Sequence, residues 1–142
     1  MEIRMDSKLM PRLIAIDDNG DSAELVIRAA KACGYSARMM TDTRSLGDTL
    51  KDNGAEVITL DLSMPDADGI ETLDLLRDIS FGGHLIIISG HRECLREYAC
   101  EKAKTNGLKV AGHFEKPIPL QALRALLKSL NVLEGTEESR SS

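Results

Sequence analysis

Hydrophobic residues recur along the chain in two alternating patterns. Five short segments are predicted strands, and most are continuous apolar runs, which are typical of strands that are buried on both faces of a sheet. They lie at residues 13–16, 36–40, 57–60, 85–88 and 110–114, of which 36–40 (SARMM) is the most polar. Between them, apolar residues recur every three or four positions, as on one face of a helix. The last such stripe consists of Leu120, Leu123, Leu126, Leu127 and Leu130.

This alternation predicts an α/β fold in which five strands form one parallel sheet with helices on both faces. The expected helices cover residues 23–33, 43–52, 70–79, 91–106 and 120–130. Gly34 and Gly107 stand where helix C-terminal caps belong. In doubly wound sheets of this kind, ligands bind beyond the carboxyl ends of the strands. The residues that follow each strand are therefore the candidates for chemistry.

The same patterns divide the chain into three parts. Residues 11–131 carry all the strand and helix signals, and we expect them to form a single domain. Residues 1–10 precede the first strand as an N-terminal extension. Residues 132–142 form a polar tail without apolar periodicity, so disorder is expected there.

Composition narrows the class of protein. The chain has 142 residues and a net charge of −5, and it shows no basic stripe, so it is a poor candidate for nucleic-acid binding. No apolar run reaches the roughly 18 residues of a membrane span, and residues 1–10 lack the apolar core of a signal peptide. A cytoplasmic location without membrane attachment is therefore expected. The three cysteines, Cys33, Cys94 and Cys100, form neither a disulfide framework nor a metal-ligand spacing.

Charged and hydroxyl side chains follow four of the five strands. Asp17 and Asp18 follow the first strand, Asp61 the third, Ser89 the fourth and Lys116 the fifth. Because the carboxyl ends of parallel strands meet at one edge of the sheet, these side chains should converge there. Three neighbouring carboxylates repel one another, and a hard cation with oxygen ligands relieves that repulsion. The cluster therefore predicts a Mg²⁺ site, since it offers no His or Cys ligand for zinc.

A carboxylate can also act as a nucleophile toward phosphorus and form an aspartyl phosphate. Asp61 is the predicted acceptor because it stands alone after its strand, within a turn defined by Pro65 and Gly69. Mg²⁺ and Lys116 would neutralise the phosphoryl group, and Ser89 would donate a hydrogen bond to one of its oxygens. The two adjacent acids after the first strand suit metal binding, directly or through water.

Four short motifs together resemble the receiver domain of two-component response regulators. They are Asp17-Asp18, residues 61–71 (DLSMPDADGIE), Ser89-Gly90 and Lys116-Pro117, each placed at a strand end. Each motif alone is weak, but all four occur in the family's order. The resemblance covers roughly residues 11–131 and implies a flavodoxin-like fold with strand order 2-1-3-4-5.

The resemblance also implies the role of each matching acid. Asp61 would accept a phosphoryl group from a phosphohistidine on a histidine kinase or a histidine phosphotransfer protein. Asp17 and Asp18 would hold Mg²⁺, together with Asp61 itself and the backbone carbonyl of Ser63. Such a domain is a phosphoacceptor rather than an enzyme, with weak self-phosphorylation and autodephosphorylation expected.

Two further roles concern the response to phosphorylation. Lys116 would bind the phosphoryl group, and Ser89 would be the switch hydroxyl that moves toward it. Family members often carry Tyr or Phe three residues before the lysine, whereas this chain has His113 there, followed by Phe114. His113 is therefore the candidate substitute for the aromatic switch. The face of the fourth helix, fifth strand and fifth helix would then rearrange and bind a downstream protein.

Several alternatives stay open at the level of sequence. Asp17 and Asp18 are also favourable helix caps, and Ser89 is a candidate N-cap for a helix that begins at His91. The chain is a stand-alone receiver, a receiver fragment of a larger regulator, or a phosphorylation-independent interaction module of the same fold. A nucleotide- or flavin-binding module is disfavoured because the loop after the first strand is acidic rather than phosphate-cradling. An aspartate-based phosphatase is disfavoured because no acid stands two residues after Asp61.

Overall fold

Five strands and five helices alternate within the residues that this computed structural model describes, namely 10–52, 54–62, 68–90 and 93–141. The strands are β1 (Arg12–Ile16), β2 (Ser36–Met40), β3 (Val57–Asp61), β4 (His84–Ser89) and β5 (Lys109–Glu115). The helices are α1 (Gly20–Ala32), α2 (Leu46–Asp52), α3 (Asp68–Asp78), α4 (Glu93–Thr105) and α5 (Leu120–Ser141).

All strand pairs are parallel, and the sheet order is β2-β1-β3-β4-β5. The predicted α/β fold and the strand order implied by the resemblance are therefore confirmed. β1 and β3 are direct neighbours, with Ile16 paired to Leu60 at their carboxyl ends. The chain leaves β1 toward one edge of the sheet and leaves β3 toward the other. This reversal opens a crevice beyond the ends of β1 and β3, the usual ligand position in such sheets.

The core consists of two aliphatic layers, one on each face of the sheet. One layer packs strand residues such as Ile14 and Leu60 against α2, α3 and α4, and the other packs Leu13 and Val57 against α1 and α5. All five residues of β3 are buried, as expected for a central strand covered on both faces. The edge strands β2 and β5 are more exposed. Residues at the ends of the central strands are thus held on a rigid base.

Most helix boundaries differ from the predicted ones by a few residues, and those at the start of α2 and the end of α5 have an identifiable cause. α2 begins at Leu46 rather than near residue 43, because the preceding residues form a turn in which the carboxylate of Asp42 accepts a hydrogen bond from the Arg44 N–H at 2.9 Å. α5 continues to Ser141 and so passes through the tail for which disorder was expected. A helix extends readily once it has formed, since each added residue gains a backbone hydrogen bond, and residues 132–141 contain no proline to stop it. The expected start of α4 at His91 lies outside the described residues, and the division of the chain at residue 131 stays a prediction.

A β-bulge in β5 sets which of its side chains meets which helix. Leu85 of β4 pairs with Val110, but Ile86 pairs with Gly112, so Ala111 is the extra residue. Val110 packs in the layer with α2, α3 and α4, whereas Ala111 and Phe114 pack in the layer with α1 and α5. Phe114 is thereby assigned to the face away from α4.

Gly83, just before β4, lies where a side chain would meet the backbone. A Cβ atom at this position would be 2.6 Å from the carbonyl oxygen of Glu56 and 2.7 Å from Cζ of Phe81. The Glu56 carbonyl is held in place because it also accepts the His84 N–H at 2.8 Å. At the neighbouring Gly82, a Cβ atom would have no neighbour within 4 Å.

We predict that Gly83→Ala lowers the free energy of unfolding by about 1–3 kcal/mol, because strands β3 and β4 must shift to admit the methyl group. The matched Gly82→Ala variant should stay within about 0.5 kcal/mol of the wild type. Urea unfolding of the three proteins checks this. Equal stabilities of the two variants would contradict the close approach at Gly83.

Candidate functional site

Two buried carboxylates lie at the crevice between β1 and β3. Asp17 directly follows β1 and is 5% exposed, and Asp61 is the last residue of β3 and is 1% exposed. The Asp17 N–H donates to the Met40 carbonyl at 3.1 Å and so extends the ladder between β1 and β2 by one residue. Both acids are therefore carried by the rigid ends of central strands, and their charge is withdrawn from water.

Lys116, which follows β5, supplies the positive charge of the site. Its Nζ donates to Oδ2 of Asp61 at 2.5 Å and lies 4.0 Å from Oδ2 of Asp17. The Lys116 backbone N–H donates to the Ser89 carbonyl at 2.8 Å, which extends the pairing of β4 with β5. Its side chain is only 24% exposed, so the ammonium group acts in a largely dry environment where its charge is poorly screened.

One ammonium group does not neutralise two buried carboxylates. The pKa of Asp17 is raised from its ordinary value of 3.8 to about 7, chiefly because the side chain is buried and also because it lies against Asp61. The Asn19 N–H, 2.9 Å from Oδ1, and the charge of Lys116 both act in the opposite direction. The pocket thus holds an excess of negative charge that either a proton or a cation would compensate. Its carboxylate oxygens are the donors that Mg²⁺ prefers.

Ser89 brings an unsatisfied hydroxyl to the same edge of the sheet. It ends β4, is 1% exposed, and its Oγ has no hydrogen-bond partner among the described residues. Leaving a buried hydroxyl without a partner is unfavourable by about 1–3 kcal/mol. A ligand oxygen that arrived beside it would accept its hydrogen bond.

The loop that leaves Asp61 is closely packed. The Leu62 N–H donates to the Ile88 carbonyl at 2.8 Å, which ties the start of the loop to β4. At Gly69, a Cβ atom would lie 3.2 Å from Cα of Leu62 and 3.3 Å from the carbonyl oxygen of Asp61. Glycine at this position therefore allows the start of α3 to approach the backbone of Asp61.

The remaining predicted site residues, Asp18, His113 and Ser63, differ from Asp17 and Asp61 in their surroundings. Asp18 and His113 are exposed, and Ser63, whose carbonyl is a predicted metal ligand, lies outside the described residues. Within the described part of the chain, no group of three His, Cys, Asp or Glu side chains is arranged to hold a metal ion. The carboxylates that the fold brings together are those of Asp17 and Asp61, and the full metal-ligand set stays a prediction.

A surface groove of about 470 Å³ runs between α4 and β5, and it includes His113. Arg96 and Lys104 of α4 contribute positive charge to it, and Glu97 and Glu101 contribute negative charge. Arg96 lies 3.8 Å from Glu115, the residue before the site lysine. His113 thus faces α4 rather than α5, at the face that was expected to respond to phosphorylation.

Asn19 has a contact with the site that sequence reasoning missed. Its backbone N–H donates to the Asp17 carboxylate at 2.9 Å. The available signal was the spacing, because an aspartate commonly accepts a hydrogen bond from the N–H two residues later.

Comparison with known proteins identifies the family. The family model described as "Response regulator receiver domain" matches residues 13–128. The chain belongs to this family. Solved structures of response regulators resemble this chain. One, a response regulator from Colwellia psychrerythraea, is 31% identical in sequence and has a TM-score of 0.77. The match covers 86% of this chain and 97% of that chain. A CheY-like receiver domain protein from Methanospirillum hungatei, 16% identical with a TM-score of 0.73 over 90% of this chain and 98% of that one, shares the fold.

Curated relatives of this receiver are longer proteins. Response regulator MprA of Mycolicibacterium vanbaalenii is 25% identical over 132 residues, which are 90% of this chain and 55% of that protein. Transcriptional regulatory protein BasR of Escherichia coli is 26% identical over 121 residues, which are 84% of this chain and 51% of that protein. The chain therefore spans about half the length of the curated relatives it matches. In the described part of the chain, no helix is long and apolar enough to cross a membrane.

The raised pKa of Asp17 predicts a pH-dependent stability. The folded receiver holds the proton of Asp17 up to about pH 7, whereas the unfolded chain releases it near 3.8. In metal-free buffer, the free energy of unfolding should therefore fall as the pH rises from about 4 to about 7, by roughly 1–3 kcal/mol. Asp17→Asn should remove this fall and be the more stable protein at about pH 8.

Urea unfolding between about pH 5 and pH 8, with chelator present, measures this dependence. Asp42→Asn is the matched control, since hydrogen bonds from Arg44 lower the pKa of Asp42 and place its titration below this range. A wild-type stability that is flat, or that rises with pH, would contradict the buried acid pair.

The unsatisfied hydroxyl of Ser89 predicts that its removal stabilises the unphosphorylated receiver. Ser89→Ala should raise the free energy of unfolding by about 1 kcal/mol, because a buried oxygen without a partner is lost. Ser36→Ala, at an exposed serine of β2, should change it by less than about 0.5 kcal/mol. Chemical denaturation checks both, and a clear loss of stability in Ser89→Ala would show that the hydroxyl has a partner in solution.

Proposed function

We propose that this receiver domain is a phosphoacceptor whose acceptor is Asp61, and that the phosphoryl group comes from a phosphohistidine of a histidine kinase or a histidine phosphotransfer protein. The observation that carries the proposal is the contact between the buried carboxylate of Asp61 and Nζ of Lys116 at the topological switch point. A nucleophilic oxygen, a fixed positive charge and a second acid, Asp17, lie within one pocket there. Membership of the receiver family supports the same role.

The proposed transfer follows from this arrangement. An oxygen of Asp61 forms a bond to phosphorus while the bond from phosphorus to the donor imidazole nitrogen breaks, which leaves an aspartyl phosphate and a histidine. The transition state gathers charge on the phosphoryl oxygens, so catalysis requires mainly positioning and neutralisation. Lys116 is positioned to exchange its contact with the Asp61 carboxylate for one with a phosphoryl oxygen. The carboxylate itself is held by β3 and by the anchored loop that begins at Leu62.

Mg²⁺ is the cofactor that we propose for this step. Asp17 and Asp61 would hold it, with Asp18 and the carbonyl of Ser63 as the further ligands that the family resemblance implies. When bound, the ion supplies positive charge to the phosphoryl oxygens. The excess negative charge of the two buried acids supports the proposal, because the single positive charge of Lys116 does not neutralise both carboxylates.

The proposed switch uses the unsatisfied hydroxyl. Ser89 would turn toward the new phosphoryl oxygen, since its Oγ has no hydrogen-bond partner among the residues that the structure describes. Ser89 pairs with Glu115 of β5, and the Glu115 carboxylate lies near Arg96 of α4. A shift of the end of β4 would therefore also move α4. His113 takes the position of the aromatic switch, and the α4–β5–α5 face becomes the surface for a downstream protein. We place this signalling in the cytoplasm, through protein–protein contact.

The test of the acceptor is covalent labelling. Incubation of the purified chain with Mg²⁺ and acetyl phosphate should add one phosphoryl group, seen in the intact mass. Asp61→Asn should abolish the adduct, because its amide is not a nucleophile toward phosphorus. Chelation of Mg²⁺ should reduce labelling by at least about tenfold, since the charge of the pocket is then left uncompensated.

Asp42→Asn is the matched control for this experiment, because Asp42 also follows a strand at this edge of the sheet but is exposed and paired with Arg44. It should be labelled like the wild type. Labelling of Asp61→Asn to the wild-type level would refute the assignment. A folded wild-type chain that takes up no phosphoryl group from acetyl phosphate or from a phosphohistidine donor would instead favour a phosphorylation-independent interaction module.

A further inference from the structure

Asn19 links the start of α1 to the acidic pocket. Its side-chain oxygen accepts hydrogen bonds from the backbone N–H groups of Asp21 at 2.9 Å and Ser22 at 3.1 Å. These contacts make it the N-cap of α1, and its backbone is extended, with φ −101° and ψ 110°. An N-cap of this kind satisfies N–H groups that the helix itself cannot pair.

The same residue also contacts the carboxylate of Asp17 through its backbone. The Asn19 N–H donates to Oδ1 of Asp17 at 2.9 Å. With Oδ1 engaged in this way, Oδ2 is the oxygen that lies 4.0 Å from Nζ of Lys116. The hydrogen bond therefore fixes the orientation of the Asp17 carboxylate, with its second oxygen turned toward the pocket.

The two contacts depend on each other. The capping side chain holds residue 19 in the extended conformation, and that conformation directs its N–H back toward Asp17. If the cap is lost, the first turn of α1 frays and the N–H is no longer held in this direction. The carboxylate would then be free to rotate about its terminal bond, which has a broad and shallow torsional preference.

We propose that Asn19 is a positioning residue, which orients the Asp17 carboxylate for cation binding by coupling it to the cap of α1. The inference rests on the proposed function, since it assigns Asn19 a role toward the same Mg²⁺ site. Groups that orient a metal ligand in this way typically change metal affinity by about 10–100-fold when they are removed. Asn19 itself contributes no ligand and no net charge.

Three variants separate this role from a purely structural one. Asn19→Ala removes the cap, whereas Asn19→Ser restores a neutral side-chain acceptor of similar capping strength. Gly20→Ala changes the adjacent residue at a position where a Cβ atom would meet nothing within 4 Å. Mg²⁺ affinity of the full unphosphorylated chain is measured by isothermal titration calorimetry, at a temperature at which every variant is fully folded by circular dichroism.

The expected result is a roughly tenfold weaker Mg²⁺ affinity for Asn19→Ala, with Asn19→Ser and Gly20→Ala within about twofold of the wild type. Loss of stability in Asn19→Ala without loss of Mg²⁺ affinity would overturn the proposal, because the cap would then serve only the helix. A loss of affinity that Asn19→Ser fails to restore would overturn it as well.

The exchange rate of the residue 19 amide tests the hydrogen bond to Asp17 without any Mg²⁺ binding, so it separates this inference from the proposed function. If the wild type neither binds Mg²⁺ nor becomes labelled, the proposed function fails, and the exchange rate of the residue 19 amide in metal-free buffer still decides the positioning contact. Slow exchange in the wild type and Asn19→Ser, with at least about tenfold faster exchange in Asn19→Ala, supports it. Equal rates in all three proteins overturn it.

Discussion

Two carboxylates and one ammonium group are confined at the ends of β1, β3 and β5, and this concentration of buried charge governs the chemistry of the site. Asp17 and Asp61 are withdrawn from water, and Nζ of Lys116 contacts Asp61 more closely than Asp17. Burial, together with the neighbouring Asp61 carboxyl group, raises the pKa of Asp17 to about 7, so a proton or a cation is needed to balance the charge of the site. Such a pocket is unfavourable for stability and is held in place by the surrounding aliphatic core.

Contacts outside the site stabilise the fold and offset the cost of burying these charges. The two hydrophobic layers enclose the sheet, and a polar cluster joins the helices that begin near the site. Asp74 of α3 accepts a hydrogen bond from Nδ2 of Asn106 at 3.1 Å, and its carboxylate lies 3.2 Å from Nζ of Lys102. Both contacts lower the pKa of Asp74. This cluster joins α4 to α3 at the C-terminal end of α4.

The sequence predicted the structure best where the local hydrophobic pattern allows only one arrangement in the fold. The buried strands were predictable because continuous apolar runs have few other stable arrangements, and the acids were predictable because strand ends in a doubly wound sheet meet at one edge. The start of α2 was missed because the carboxylate of Asp42 forms a turn that competes with the helix. α5 runs through residues 132–141, where the polar composition favoured disorder, and the separate tail stays a prediction.

The order of strands and helices along the chain, the aliphatic core and the residue types at each strand end follow from local spacing and chemistry, so they can be read from the sequence. How those residues meet depends on the packing of the sheet and its helices. The packing placed Asp17 and Asp61 in one dry pocket while leaving Asp18 exposed, left Ser89 without a hydrogen-bond partner in the described part of the chain, and turned His113 toward α4 through the bulge at Ala111. These outcomes depend on strand register and on burial, which arise from contacts between residues far apart in the chain.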